Sequence, residues 1–214
     1  MSAPHFLYVA DPMCSWCYGF SPVISELALR FEGRLPVRVM VGGLRAGNTR
    51  AMRQEDKDYI RNAWTRVAAA TGQPFDHAFF ERDGFVYDTE PACRAVVTVR
   101  GMQPKLALAF MGQVSRAFYG DNRDMTDTDE IVAVAGESGI DAEEFRSRFM
   151  SADVRNETFR DFLAAQEMGV SGFPCLVAGS EDGYALVTNG YRAIDGLPEA
   201  IQTWLANGAK VRPA

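Results

Sequence analysis

The first part of this 214-residue chain most constrains its fold, because it has the pattern of a strand, a helix and a second strand. Residues 6–10 (FLYVA) form a short apolar run typical of a buried strand, and Asp11-Pro12 ends it. Apolar residues recur at helical spacing over 14–31, and residues 36–41 alternate like a strand. Strands joined through one helix run parallel, so the sequence predicts a βαβ unit.

Two cysteines, Cys14 and Cys17, lie three positions apart where the first strand meets the first helix. Unpaired N–H groups and the helix dipole favour an anion at a helix N-terminus, so we expect stabilisation of the Cys14 thiolate. Cys17 lies one turn further on, where it can attack a mixed disulfide formed at Cys14. The pattern predicts a two-electron redox centre with Cys14 as nucleophile and Cys17 as resolving thiol.

Two alternatives for this cysteine pair are a zinc half-site and a structural disulfide. Zinc normally takes four ligands, but the other two cysteines stand alone in the sequence and the chain has only two histidines. A static disulfide within one helical turn does not suit a chain without a secretory signal. The sequence therefore favours redox chemistry and predicts no metal site.

The charge balance argues against nucleic acid and anionic membranes as partners. The chain has 22 basic and 28 acidic residues, a net charge of −6, and no basic run. Residues 1–8 lack the charged and apolar regions of a signal peptide, and no apolar stretch approaches about 18 residues. We therefore expect a soluble, cytoplasmic protein; the sequence leaves its oligomeric state open between monomer and homodimer.

Helical patterns dominate the middle of the chain, where strand signals are almost absent. Start signals include Pro91 at a first-turn position, and Asp127 and Asp141, each followed three residues later by a glutamate as in a capping box. We predict amphipathic helices near residues 53–71, 91–101, 103–119, 127–137, 142–150 and 154–168.

Strand character returns towards the end of the chain. Residues 175–178 and 184–188 are joined by the loop 179–183 (GSEDG), which favours a hairpin. A last helix is predicted over about 197–206, with Pro198 in its first turn and Asn207-Gly208 at its end. The two ends of the chain thus give βαβ and ββα, with helices between them.

Three segments carry a resemblance to a known family: residues 11–20 (DPMCSWCYGF), 89–95 (TEPACRA) and 169–174 (GVSGFP). The order of elements around the C-x-x-C and G-x-x-G-x-P motifs resembles the thioredoxin fold. The helical insertion resembles that of the DsbA-like thiol-disulfide oxidoreductases, and the first two segments resemble their FrnE-like branch.

The resemblance implies an α/β, thioredoxin-like fold with an all-helical insertion between its halves. Residues 1–45 and 170–214 would form the thioredoxin-like domain. Residues 46–169 would form the insertion, whose last helix, about 154–169, leads back into the thioredoxin-like part.

The resemblance also implies a substrate site beside Cys14. Pro174 matches the family's cis-proline, although alone it could be an ordinary turn proline. Phe173 would offer its N–H and C=O to an extended segment of substrate, and Trp16 would give apolar contact. The implied partners are disulfide-containing proteins or peptides, or low-molecular-weight thiols. No bound cofactor is expected, with glutathione as a candidate redox partner.

Two departures from the family bear on the direction of exchange. No export signal is visible, and Ser15-Trp16 replaces the proline-histidine dipeptide of the strong oxidants. Without an imidazolium between the cysteines, Cys14 should be less acidic and its disulfide less oxidising. We therefore expect a reductase or isomerase-like role.

Two further residues have two interpretations each, and a third has one. Asp11 is either a proton acceptor for Cys17 or a cap of the first helix. Cys175 follows Pro174 directly, so we expect it near the redox pair, as a third thiol that forms an alternative disulfide or as a small buried strand residue. Cys93, near the start of an insertion helix, is expected to be buried.

Three functions are consistent with these features. The first is a cytosolic thiol-disulfide oxidoreductase or isomerase that works through a Cys14 mixed disulfide resolved by Cys17. The second is a glutathione-dependent isomerase or transferase of a small aromatic compound, which would need no resolving thiol. The third is a redox-gated chaperone or binding module whose helical insertion supplies the client surface.

Overall fold

The computed structural model describes residues 3–181 and 183–210, which form a four-stranded sheet surrounded by helices. Its strands are β1 (His5–Ala10), β2 (Val37–Val41), β3 (Cys175–Ser180) and β4 (Gly183–Asn189). Its helices are α1 (Ser15–Arg30), α2 (Gln54–Thr71), α3 (Glu90–Met102), α4 (Ala107–Tyr119), α5 (Thr128–Glu137), α6 (Ala142–Phe149), α7 (Ala152–Glu167) and α8 (Leu197–Ala206).

The sheet has the order β2-β1-β3-β4. β1 pairs in parallel with β2 and antiparallel with β3, and β3 and β4 form an antiparallel hairpin. The βαβ unit, the hairpin and the thioredoxin-like order of elements are therefore confirmed. Asp182, in the predicted hairpin loop, lies outside the described residues.

The helices agree with the sequence pattern except at the start of α4. The predicted helix over 103–119 begins instead with a short 3₁₀ turn, Pro104–Leu106, and becomes α-helical at Ala107. Gln103 has φ −143° and ψ 81°, outside the helical region. Proline disfavours a helical conformation in the residue before it, so Pro104 separates α3 from α4.

Strand alternation divides the core between two faces of the sheet. In β1 and β3, Tyr8 is paired with Leu176 and Val9 with Cys175. The near face carries Phe6, Tyr8, Ala10, Leu176 and Ala178, which share one large core with α1 and the inserted helices. The far face carries Leu7, Val9, Cys175 and Val177, which pack with Ala165 of α7.

The outer edge of β2 is covered by side chains. Asp161 of α7 accepts a hydrogen bond from the Val41 N–H (3.0 Å), and Arg100 of α3 donates to the Val39 carbonyl (2.9 Å). Arg100 and Asp161 also form an ion pair. These contacts satisfy backbone groups that an edge strand would otherwise offer to another chain, and they bind the insertion to the sheet.

α1 contains a proline in its interior, Pro22. Proline has no N–H, so the carbonyl of Tyr18, four residues earlier, loses its helical partner. Ser21 and Gln73 supply hydrogen bonds to that carbonyl instead, at 2.7 and 3.2 Å. The helix that carries the cysteine pair therefore continues to Arg30.

Across residues 3–181 and 183–210, the structure contains no helix that is both long and apolar enough to cross a membrane.

Candidate active site

Cys14 is the N-cap residue of α1, with φ −97° and ψ 118°. Its thiol lies 3.8 Å from the carbonyl oxygen of Phe173 and donates to it. Cys17 lies in the first turn of the helix, and the exposed fractions of Cys14 and Cys17 are 6% and 3%. The structure thus places Cys14 at the helix N-terminus and the two cysteines one turn apart, as the sequence predicts. All four cysteines of the chain are buried free thiols.

The loop opposite Cys14 contains a cis peptide bond between Phe173 and Pro174, as the resemblance implies. The Pro174 carbonyl accepts a hydrogen bond of 2.7 Å from the Gly190 N–H, just after β4. This bond holds the loop against the hairpin. The predicted substrate-binding residues Phe173 and Pro174 are therefore brought next to Cys14.

Gly42, just after β2, provides the surface on which the Phe173 ring lies. A Cβ atom at Gly42 would come within 2.1 Å of two ring carbons of Phe173, a distance no side chain can occupy. The Gly42 N–H also donates to the Ala10 carbonyl (2.9 Å). The sequence shows Gly42 only as the end of a strand, and nothing in the local pattern indicates its contact with Phe173.

Trp16, which lies between the two cysteines in sequence, is half-buried. Its ring lies 5.6 Å from that of Tyr191 at an interplanar angle of 33°. Tyr191 follows β4, so this contact joins the active-site helix to the hairpin.

Cys17 is held as a neutral thiol by its surroundings. Burial raises its pKa well above the usual 9.0, and the hydrogen bond and charge of Cys14 raise it further. The N–H of Asp11 donates to the Cys17 sulfur and opposes this shift, but it is the smaller effect. A group that accepts a proton is therefore needed before Cys17 can attack a disulfide.

Asp11 is fully buried beside the cysteine pair. Its carboxylate accepts hydrogen bonds from the Met13 N–H (2.8 Å) and the Leu44 N–H (2.7 Å). It thus closes the turn before α1 and joins that turn to the loop after β2, rather than capping the first-turn amides of the helix. Burial raises its pKa, although four hydrogen bonds, including those from Thr89 and Cys93, favour the charged form.

Cys93 and Thr89 approach Asp11 from the start of α3. Cys93 is completely buried, as expected, and its thiol is hydrogen-bonded to the Asp11 carboxylate. Burial and the charge of Asp11 both raise the pKa of Cys93. The Thr89 hydroxyl donates to Asp11 and accepts from the Arg45 N–H (3.1 Å). The sequence assigns Thr89 no role, although it opens the 89–95 segment that carries the family resemblance.

The insertion also holds the turn that leads into Cys14. The Ser115 hydroxyl of α4 donates to the Pro12 carbonyl (2.8 Å), and the Tyr87 hydroxyl donates to the Met13 carbonyl (2.7 Å). Both donors are buried. The sequence does not indicate these residues as part of the site, because the contacts cross more than seventy positions of the chain.

Cys175 is adjacent to Pro174 in sequence but lies on the far face of the sheet. Its partner in β1 is Val9, whereas Tyr8 points to the near face, where Cys14 and Cys17 are found. The sheet therefore lies between the Cys175 side chain and the cysteine pair, an arrangement that does not favour an alternative disulfide. Its position agrees with the other interpretation, a small buried strand residue, and burial raises its pKa.

No cluster of three or more His, Cys, Asp or Glu side chains suitable for a metal ion occurs in the part of the chain that the structure describes.

Similar solved structures cover nearly the whole chain. A candidate protein disulfide isomerase from Nitrosomonas europaea superposes with a TM-score of 0.89 and 36% identity, over 96% of this chain and 99% of that one. The cytosolic disulfide reductase DsbM from Pseudomonas aeruginosa, in its structure with GSH, gives a TM-score of 0.76 and 25% identity, over 94% of this chain and 99% of that one.

The sequence is also similar to curated proteins and to a family model. The ClpXP adapter protein SpxH of Bacillus subtilis is 25% identical over 167 residues, 78% of this chain and 55% of the relative. The chain thus spans little more than half the length of that relative. The model of the DSBA-like thioredoxin domain matches residues 7–202. With its cysteine pair and cis-proline loop in place, the chain belongs to the DSBA-like thioredoxin domain family.

Proposed function

We propose that this protein is a cytosolic thiol-disulfide oxidoreductase that acts on disulfides of proteins, peptides or low-molecular-weight thiols. One observation supports this most directly: Cys14 caps α1 with its sulfur 3.8 Å from the Phe173 carbonyl, next to the cis bond before Pro174. A disulfide laid along residue 173 would bring one of its sulfurs to Cys14.

The proposed reaction has two exchanges. The Cys14 thiolate attacks one sulfur of the substrate, forms a mixed disulfide and releases the other sulfur as a thiolate. Cys17 then gives up its proton and attacks the Cys14 sulfur, which releases the second substrate thiolate. The substrate gains two electrons and two protons, and the protein ends with a Cys14–Cys17 disulfide.

Substrate recognition would depend on backbone and shape. An extended segment can pair with the backbone of Phe173 as an added strand, and the half-buried Trp16 offers apolar contact. Neither Phe173 nor Pro174 has a side chain that forms hydrogen bonds. Such a site would accept many sequences around a substrate disulfide.

The proposed direction is reduction or isomerisation. His5 lies at the opposite end of β1 from the active-site turn, and His77 packs against Trp64, so neither is placed to act as the missing imidazolium. The likeness to DsbM, described as a cytosolic disulfide reductase and solved with GSH, supports this direction, a cytoplasmic location and glutathione as the redox partner. No bound cofactor enters the proposed reaction.

Equilibration of the purified protein with a glutathione series tests the proposal. We expect a reduction potential within or below the cytosolic glutathione range, about −220 to −320 mV. A potential near that of the strong oxidants, about −120 mV, would contradict the direction. Absence of any Cys14–Cys17 disulfide across the series would contradict the function itself.

A second candidate function is a redox-gated binding module, supported by the similarity to SpxH, whose name describes a ClpXP adapter protein. Holding of an unfolded client protein by the double variant Cys14→Ser, Cys17→Ser separates the two functions. Holding that persists without the cysteines would support the binding module, and loss of all holding would exclude it.

A further inference from the structure

A narrow crevice between α1 and α4 reaches Cys17 by a route separate from the substrate loop. Cys17 and Tyr8 lie at its inner end, with Ser115 of α4 beside them. Ser25 and Ala109, both exposed, lie at its outer end. Cys14, Trp16, Phe173 and Pro174 are not among the residues that line it. The resolving thiol thus has a path to solvent that a substrate on Cys14 would not cover.

The inner end of the crevice holds a buried phenol. Tyr8 is 2% exposed, and within the described residues its hydroxyl forms no hydrogen bond with another group of the protein. The hydroxyl oxygen is not among the enclosed side-chain atoms that lack a partner, so it opens onto the crevice, where water can bind it. The Ser115 hydroxyl uses its proton on the Pro12 carbonyl, so it can still accept a hydrogen bond from the crevice side.

The crevice is large enough for water, and its mostly apolar lining includes four residues with hydroxyl groups: Tyr8, Ser21, Ser25 and Ser115. It offers about 50 Å³ to the centres of water molecules. One buried water needs at least about 10–15 Å³ and two to four polar partners, so a short file of waters fits between Tyr8, Ser115 and Ser21. Such a file would supply the partner that the Tyr8 hydroxyl otherwise lacks.

We infer that this crevice is the proton route of the resolving step, in which crevice water, ordered by the Tyr8 hydroxyl, receives the Cys17 proton. The inference rests on the proposed function. The Cys17 S–H bond breaks, its proton passes through the water file towards Ser25, and the thiolate attacks the Cys14 sulfur. The substrate thiolate that leaves takes up a proton from solvent, so no other oxidant or reductant is needed.

Asp11 is the competing acceptor. The titratable groups that face Cys17 are Cys14 beside it, Tyr8 on β1 and Asp11 before α1; the α4 wall of the crevice contributes no charged group. Both oxygens of the Asp11 carboxylate already accept backbone hydrogen bonds, from Met13 and Leu44. The Tyr8 hydroxyl has no such competing partners, which favours the crevice route.

Stopped-flow mixing of the reduced protein with the aromatic disulfide dithiobis-nitrobenzoate separates the two steps, because each step releases one coloured thiolate. Gly112→Leu fills the crevice, and Gly112→Ala is its matched control. Both remove a helical glycine, and a Cβ at Gly112 meets no atom within 4 Å. Tyr8→Phe removes only the hydroxyl and keeps the ring.

We expect Gly112→Leu to slow the second phase on the order of a hundredfold and to leave the first phase unchanged. A hundredfold is the lower end of the rate effects that a positioned proton acceptor gives. Gly112→Ala should leave both phases unchanged, and Tyr8→Phe should slow only the second. If Gly112→Leu slows both phases, the leucine has disturbed the packing of the helices. The test of the proton route then depends on Tyr8→Phe only.

An unchanged second phase in Tyr8→Phe overturns the inference. So does a second phase that slows in Asp11→Asn but in neither Gly112→Leu nor Tyr8→Phe. Absence of the first phase in the unmodified protein would instead refute the proposed function, so the two failures are distinguishable.

Discussion

The two faces of the central sheet each carry cysteine, and they give it different surroundings. On the near face, Cys14 and Cys17 lie at a helix N-terminus, beside a cis-proline loop, a buried carboxylate and a crevice that contains hydroxyl groups. On the far face, Cys175 lies among aliphatic side chains under α7. The contrast shows that the chemistry open to a thiol depends on the helix, loop and strand around it. Its distance along the chain from the C-x-x-C motif matters less.

Phe173 is the link between the two faces. Its ring contacts both the near-face core and the far-face cluster, and it lies on Gly42. Its carbonyl accepts from Cys14, whereas Cys175 two residues later is on the other side of the sheet. Phe173, beside Cys14, is thus held by packing on both faces of the sheet.

The largest difference between the faces should appear in the rate of disulfide exchange when Cys14 or Cys175 is replaced. Cys14→Ser should lower disulfide exchange on the order of a thousandfold or more, because the nucleophile is lost. Cys175→Ser should change it little, because that thiol lies behind the sheet. Reduction of a model disulfide under single-turnover conditions measures both. Equal losses in the two variants would contradict the separation of the faces.

On the near face, the two cysteines should differ in the step of the reaction that is lost when each is replaced. Cys17→Ala should still form the mixed disulfide at Cys14 but should not resolve it, so multiple turnover stops. Non-reducing electrophoresis and intact-mass measurement should show the trapped adduct, with Cys14→Ala as the control that traps nothing. Sustained turnover in Cys17→Ser would instead indicate isomerase chemistry that needs one thiol.

The packing of Phe173, which contacts both faces of the sheet, should be disturbed by Gly42→Ala. The new Cβ would overlap the Phe173 ring, so we expect a loss of about 1–3 kcal/mol in the free energy of unfolding, and a weaker exchange reaction. Gly101→Ala is the matched control: Gly101 is exposed in α3 with open space around it, and alanine there should stabilise by up to about 1 kcal/mol. Urea unfolding measures both; an undiminished stability in Gly42→Ala would show that the ring is not held as described.

The smallest expected effect is a change in the pH dependence of stability in Asp11→Asn. Burial raises the pKa of Asp11 above its usual 3.8, so the folded protein binds this proton more readily than the unfolded chain. The stabilisation from Asp11 is therefore complete below about pH 3.8 and is lost as the pH rises through the folded-state pKa.

Asp11→Asn should lack this fall, which is limited to about 1.4 kcal/mol per pH unit. The free energy of unfolding, measured in urea at several pH values above 3.8, should therefore decrease more steeply with pH in the unmodified protein than in the variant. The difference in slope is the test, because the asparagine also loses one acceptor and lowers stability at every pH. Parallel pH profiles would contradict the raised pKa.

Local patterns were enough for most of the fold. Apolar periodicity, Pro91 and the N-cap residues Asp127 and Asp141 placed the helices within a few residues of their observed bounds, because these signals act over a single turn of chain. The exception, the start of α4, needed the effect of Pro104 on Gln103. The cysteine pair was equally visible, since both thiols belong to one helical turn.

The remainder of the site required the tertiary structure. By itself, the sequence determined the βαβ and ββα units, the helical insertion and the position of Cys14 and Cys17 at the start of α1, all of which depend on neighbours a few residues apart. Only the tertiary structure decided that Gly42 supports Phe173, that Thr89 and Cys93 meet Asp11, and that α4 forms a crevice to Cys17. It also placed Cys175 behind the sheet, because strand pairing and register set the face on which a side chain lies.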